Sequence, residues 1–384
     1  MNKRIFLEYG ELQELPKREL IFILAIVIAS ILVFFIPSSF EKAKNNKMIS
    51  VKAVITSVDD SLTRPIGLIR TGQQYIDAKV ISKEFKNETF NSINRFMGKL
   101  EFDRVYKVGD TVLANVEVKT DGTKNFQIID IYRIDYIRVL LIVFVVFLIV
   151  YAGLTGIKAV LSFFFTAGAI WKILLPGYLL GINPILLSLG ITAVLTFVII
   201  FLIGGLNKKG MVAFLGAISG VAITCVLSLI FGHFFRIPGE IKPFAESLLY
   251  SGFGNIDLSA IFLSGIFISS SGAVMDIAMD ISAAMFEIKQ NQPRVRFHEL
   301  LFSGLTVGRA VTGTMTTTLL LAYSGGFSTL LMIFISQGIP FDNMINLQYI
   351  SAEILHTVVG SFGLVIVAPI TAILGTFFYT DLKK

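Results

Sequence analysis

The chain has 384 residues, 54% of them hydrophobic and 16% charged, with a formal net charge of +6 and a mean hydropathy of +0.76. That is too apolar and too poor in charge for an ordinary soluble enzyme of this size, so lipid is the relevant solvent. The basic residues fall in short clusters between apolar runs, which is a topology signal and speaks against a nucleic-acid partner. The single cysteine, Cys225, rules out an intrachain disulfide or a cysteine metal cluster and reads as packing.

The first apolar run, LIFILAIVIASILVFFIP, begins at Leu20 behind a mixed-charge leader. No small-x-small cleavage site follows it, so residues 1–40 are expected to be a cytoplasmic leader and an uncleaved membrane anchor. From 41 to 135 the composition becomes that of a soluble domain. VKAVITSV, YIDAKVIS and TVLANVEVK alternate like strands, and VGD and DGT supply turns. A small β-rich domain of five or six short strands, in the form of a partial barrel, is expected. Its Asn87-Glu88-Thr89 matches a glycosylation acceptor, but so short a pattern is explained by chance.

Residues 136–384 read as a multi-span membrane domain. Spans are expected at 137–154, 157–178, 184–204, 211–235, 258–288, 300–323 and 353–379, each near the roughly 20 residues that a helical crossing needs. The basic clusters are Lys3, Arg4, Lys17 and Arg18, then Lys208 and Lys209, then Lys289, Arg294 and Arg296. They alternate with the spans so as to put the N-terminus in the cytoplasm and the β domain outside. GGFSTLLMIFISQGIP, over 325–340, is short for a crossing and reads as re-entrant. The expected fold is therefore a polytopic α-helical membrane protein of about eight transmembrane helices plus a re-entrant segment, with a small extracytoplasmic β-rich domain between the first two helices. A ninth span is the alternative, and it would move the C-terminal TDLKK outside.

SSSGAVMDIAMD, from Ser269 to Asp280, sets two carboxylates one helical turn apart in a segment otherwise written for lipid. On a helix Ser269, Ala273, Asp276, Asp280 and Glu287 share one stripe. A charge at that depth costs at least a few kcal/mol, so the stripe should face protein or water. Counted from the cytoplasmic ends of their helices, Asp276 and Arg309 both lie about 18 to 20 Å deep, so an antiparallel hairpin would bring them level. Thr306, Thr312, Gly313 and Thr316 extend the Arg309 stripe. Two readings stay open. Asp276, Asp280 and Arg309 form a structural ion network, or the spare negative charge binds a cation or proton during transport. Ser269, Ser270 and Ser271 with the following glycine either unwind the helix to expose backbone groups or are small-residue packing. Glu353 and His356 form a second pair near the outer end of the last helix. They read as an outer gate or proton relay, or as an interfacial histidine without a mechanistic role.

Four blocks, GLNKKGMVAFLGAISG, SSSGAVMDIAMDISAAMFEI, GRAVTGTMTTTLLLAYSGG and EILHTVVGSFGLVIVAPIT, resemble in order those of the YibE/F family of bacterial multi-pass membrane proteins. The resemblance implies a bacterial inner-membrane protein with a membrane domain behind an N-terminal module, and it implies no activity. Enzymatic readings fare poorly. The acids lie on one helix without a GxGD motif, no histidine is evidently level with Ser269 to Ser271, and there is no P-loop, dinucleotide fingerprint or zinc-spaced histidine cluster. The functional expectation is a secondary permease, not an enzyme, for a cation or proton-coupled small solute, with no cofactor. The alternative is an envelope interaction or assembly protein that uses the external β domain, its intramembrane charges being structural.

Overall fold

The computed structural model describes residues 16–36, 47–119 and 122–380. Lys3, Arg4, Lys383 and Lys384, which helped to orient the chain, lie outside the described residues. Packing divides the protein into two units, one within 39–148 and the other formed by the first helix together with 149–384.

The smaller unit is an antiparallel sheet of six strands. They are β1 (Lys47–Asp59), β2 (Thr63–Ile66), β3 (Ile69–Val80), β4 (Thr89–Met97), β5 (Thr111–Val118) and β6 (Lys124–Ile131). The order is β2-β3-β1-β5-β6, with β4 paired to β3. Period-two alternation places Val51, Ala53 and Ile55 of β1, Ile76, Ala78 and Val80 of β3, and Val112, Ala114 and Val116 of β5 on one buried face. The outer strands β4 and β6 curl toward each other, and Phe90 stacks on Phe126 with ring centroids 5.1 Å apart. This is the partial barrel expected from the alternation. Among the described residues its one fully buried polar side chain, Gln74, satisfies every hydrogen-bonding group: Nε2 donates to Asp60 Oδ1 and the Tyr106 carbonyl, and Oε1 accepts from Asn94 Nδ2 and the Tyr106 amide. Gly72 has φ +94°, and a Cβ there would strike the Leu62 carbonyl oxygen, so this crossing of β2 and β3 requires glycine.

The helices are α1 (Lys17–Phe35), α2 (Ile134–Ala169), α3 (Leu175–Leu179), α4 (Pro184–Gly204), α5 (Lys208–Phe235), α6 (Ala245–Tyr250), α7 (Leu258–Asn291), α8 (Phe297–Ser336), α9 (Phe341–Asn346) and α10 (Gln348–Thr380). Their starts are written locally. Asn183, Asn207 and Asp257 accept from the amides of Leu186, Gly210 and Ala260, which would otherwise be orphaned at the N-termini of α4, α5 and α7. Among the described residues seven helices are long and apolar enough to cross a membrane.

One expected boundary is kept and one expectation changes. The spans expected at 137–154 and 157–178 share the stretch Ile134–Leu179, in which two helices meet at a kink where Gly153 takes φ 55° and ψ −128°. The expected boundary and the observed break nearly coincide, because only glycine adopts that conformation readily. The 325–340 segment is not a separate re-entrant element. Its first part continues α8, which ends only at Ser336, ahead of Gly338 with φ 67° and Pro340. Gly325 and Gly326 weaken a helix without breaking it, whereas a positive φ and a proline do break it.

The core of the larger unit is α5, α7 and α10, joined by α4 on one side and by α8 on the other. Small residues let the backbones close: Gly216 meets Thr371, Gly363 meets Thr224, and Gly220 sits under Val274 and Val367. On α8, Gly304 receives Met285 and Gly308 receives Ile281 and Ala368, which fixes how α7 and α8 run past each other.

Candidate functional site

The exposed positions of α7 are Ser269, Gly272, Asp276, Asp280 and Glu287, followed by the polar end Gln290–Asn291. None is apolar. α4, α5 and α10 show the opposite, with exposed Leu186, Val194 and Phe197 on α4, Val226 and Leu229 on α5, and Val358, Phe362 and Val365 on α10, whereas α8 exposes Thr306, Arg309, Thr314, Thr317 and Thr318 before it turns apolar at Leu320 and Leu321. The hydrophobic faces of α7 are used against its neighbours, with Phe267, Val274, Ile277, Ala278, Ile281 and Met285 buried. What remains is the predicted stripe with one change: Gly272 is exposed, while Ala273 is partly buried against the core.

The predicted pairing of Asp276 or Asp280 with Arg309 is not formed. No ion pair within 4.0 Å joins them among the described residues, and Arg309 is exposed. The level also differs from the one expected. The contacts of Gly304 with Met285 and Gly308 with Ile281 put Arg309 opposite Asp280, and Asp276 about a turn deeper along α8, near Gly313. The reason is angular: Gly308 and Ile281 are the contacting positions, and one residue further on each helix turns the side chain about 100° away. On the same side of α8, Thr306 and Thr316 bond back to the carbonyls of Phe302 and Thr312, while Thr312 Oγ1 is buried without a partner.

The serines do not unwind α7. It runs unbroken from Leu258 to Asn291, and Ser269, Ser270 and Ser271 donate to the carbonyls of Ile266, Phe267 and Ile268. Ser270 and Ser271 are buried packing residues, as the small-residue reading had it.

Ser269 differs. Its Oγ lies 2.7 Å from His356 Nε2 and 2.8 Å from the hydroxyl of Tyr323, which donates to it. The Tyr323 and His356 ring centroids lie 4.4 Å apart, with the ring planes tilted by 34°. On the other side of the imidazole, His356 Nδ1 is 4.0 Å from Glu353 Oε2, and Glu353 Oε1 accepts from Lys242 Nζ at 2.6 Å. Side chains from α7, α8, α10 and the α5–α6 connection thus form one continuous polar chain. Lys242 and His356 also line a cavity of about 590 Å3, walled otherwise by apolar side chains such as Leu175, Leu248 and Phe262.

This corrects the expectation that no histidine is level with the serines. The spacing of Glu353 and His356 could be read from the sequence, but their depth depended on how α10 packs on α7. Lys242 and Tyr323 were not anticipated. Lys242 stands in a connection, and Tyr323 looks like an interfacial aromatic until the fold turns it toward Ser269. Serine, histidine and glutamate in a row have the composition of a hydrolase triad. Ser269, however, lies within a helix whose amides are taken by the helix itself, so that helix offers no free backbone amide as an oxyanion donor beside it. Among the described residues no group of three or more histidine, cysteine, aspartate or glutamate side chains is arranged to hold a metal ion.

No curated protein and no solved structure matches the chain. A family model described as YibE/F-like protein matches residues 140–381, which take in α4 to α10 and every polar side chain just described, while the β strands lie outside the match. With well over half of the chain covered, and covered where the apolar helices and the polar chain lie, this is an integral membrane protein of the YibE/F family.

Proposed function

We propose that the protein is a secondary permease of the bacterial inner membrane, moving a cation or a proton-coupled small solute along the polar face of α7. The observation that carries this reading is that the exposed positions of a membrane-length helix are polar or glycine, two of them aspartates without an ion partner among the described residues, while α4, α5 and α10 expose aliphatic and aromatic side chains. Lipid does not tolerate such a face, and water in a path does. In this reading the N-terminus is cytoplasmic, the β domain is outside, about eight crossings are made, and no cofactor or catalytic step is involved.

The test is flux into proteoliposomes across a panel of cations and small solutes, with a pH gradient imposed. Wild-type protein moves one of them. Asp280→Asn and Asp276→Asn each lower that flux by at least about tenfold, since each removes a charge that the path presents to the cation. A panel without flux above empty vesicles, or Asn variants that transport as wild type does, would sink the reading.

A second reading has its own observation. The β domain carries a cavity of about 980 Å3 lined by polar side chains of β3, β4 and β6, including Asp77, Asn91, Arg95 and Gln127. Such a face suits an envelope partner, the helices then acting as its anchor. Under this alternative, removal of the β domain abolishes function while the two Asn variants leave it intact.

A further inference from the structure

The hydrogen bonds around Ser269 can be assigned in only one way if every contact is a bond. The Ile266 carbonyl can only accept, so the single hydroxyl proton of Ser269 goes to it, at 3.0 Å. Tyr323 and His356 Nε2 must then both donate to Ser269 Oγ. A neutral His356 therefore carries its proton on Nε2, and Nδ1 is left as a bare acceptor. Nδ1 is buried, has no hydrogen-bond partner, and faces a carboxylate oxygen 4.0 Å away. Two acceptors facing each other are a place where a proton is missing.

The charge count explains why it can be missing. Glu353 has only 13% of its side chain exposed, and its other oxygen is held by the Lys242 ammonium. The carboxylate therefore needs no second cation while that ion pair is closed. The titratable groups facing His356 are Glu353 on its own helix, Tyr323 on α8 and Lys242 on the α5–α6 connection; α7 contributes the Ser269 hydroxyl. Lys242 is the one with room to leave, since 39% of its side chain is exposed.

We propose that Glu353 and His356 form a one-proton site whose resting counter-ion is Lys242: when the ammonium swings away from the carboxylate, a proton from water enters between Glu353 Oε2 and His356 Nδ1. Lysine and proton exclude each other, because either one balances the buried carboxylate and both together leave an excess positive charge in a poorly solvated place. The inference deepens the proton-coupled form of the permease reading by naming the group that loads the proton. It moves that role from the aspartates of α7 to the α8–α10 side.

The test reads protons and not flux, so it can fail while transport stands, and the reverse. The chain has three histidines, so 15N-histidine protein in lipid nanodiscs gives few signals, and the His356 pair is the one lost in His356→Gln. At about pH 7, where histidine protonation is informative, wild type shows a protonated Nε2 and a bare Nδ1. In Lys242→Met, Nδ1 becomes protonated or hydrogen-bonded; in Lys242→Arg it stays bare; in Lys242→Met/Glu353→Met it is bare again. A bare Nδ1 in Lys242→Met overturns the proposal. So does a wild-type protein with the proton on Nδ1 and a bare Nε2, the arrangement of a Ser-His-Glu relay, and that measurement needs no variant of Lys242 or Glu353 to fold.

Discussion

At the scale of single residues, the positions of Asp276, Asp280 and Arg309 show how little matched depth says about pairing. Arg309 stands opposite Asp280 along the two helices, but each points away from the shared contact at Gly308 and Ile281. Residues without mutual contact have additive effects to within about 0.5 kcal/mol. Thermal unfolding in detergent of Arg309→Ala, Asp280→Asn and the double variant should therefore give losses that sum. A double variant clearly more stable than that sum would mean that the two charges meet after all. The opposite holds at Glu353, whose two oxygens face Lys242 and His356; there, loss of one partner changes what the others do.

At the scale of elements, the helical core is set by glycines that admit a neighbour's hydroxyl or branched side chain. A Cβ at Gly363 would run into Thr224 Oγ1, whereas a Cβ at Gly313 meets nothing within 4 Å. Gly363→Val should overpack the contact of α5 with α10 and cost about 1 to 3 kcal/mol. Gly313→Ala should be neutral or stabilise by up to about 1 kcal/mol through helix propensity. Melting curves of the two variants in one detergent check the contrast. Equal losses would mean that α8 is covered in a way that its exposed face does not show.

At the scale of the whole molecule, the topology proposed from the basic clusters and the change of composition near residue 41 predicts that the β domain and the α4–α5 turn face opposite sides of the membrane. In a Cys225→Ala background, a cysteine at Lys83 should react with an impermeant thiol reagent from outside intact cells, and one at Lys209 should not. Labelling at Lys209 and protection at Lys83 would invert the topology.

The membrane class, the strands of the β domain and the polar stripe of α7 were all determined by the sequence, because each depends on local periodicity. Alternation in VKAVITSV buries Val51, Ala53 and Ile55, and the spacing of Ser269, Asp276 and Asp280 puts them on one helix face whatever surrounds it. Two helix starts were equally local, fixed by Asn207 and Asp257. Which residues meet across helices was decided only by tertiary structure. A shift of one position turns a side chain about 100°, which separates Arg309 from Asp280. The packing of α8 and α10 on α7 brings Tyr323 and His356 to Ser269, from 54 and 87 positions away in the chain. Lys242 reaches Glu353 across 111 positions, a meeting that no local pattern specifies because only the packed bundle closes that loop.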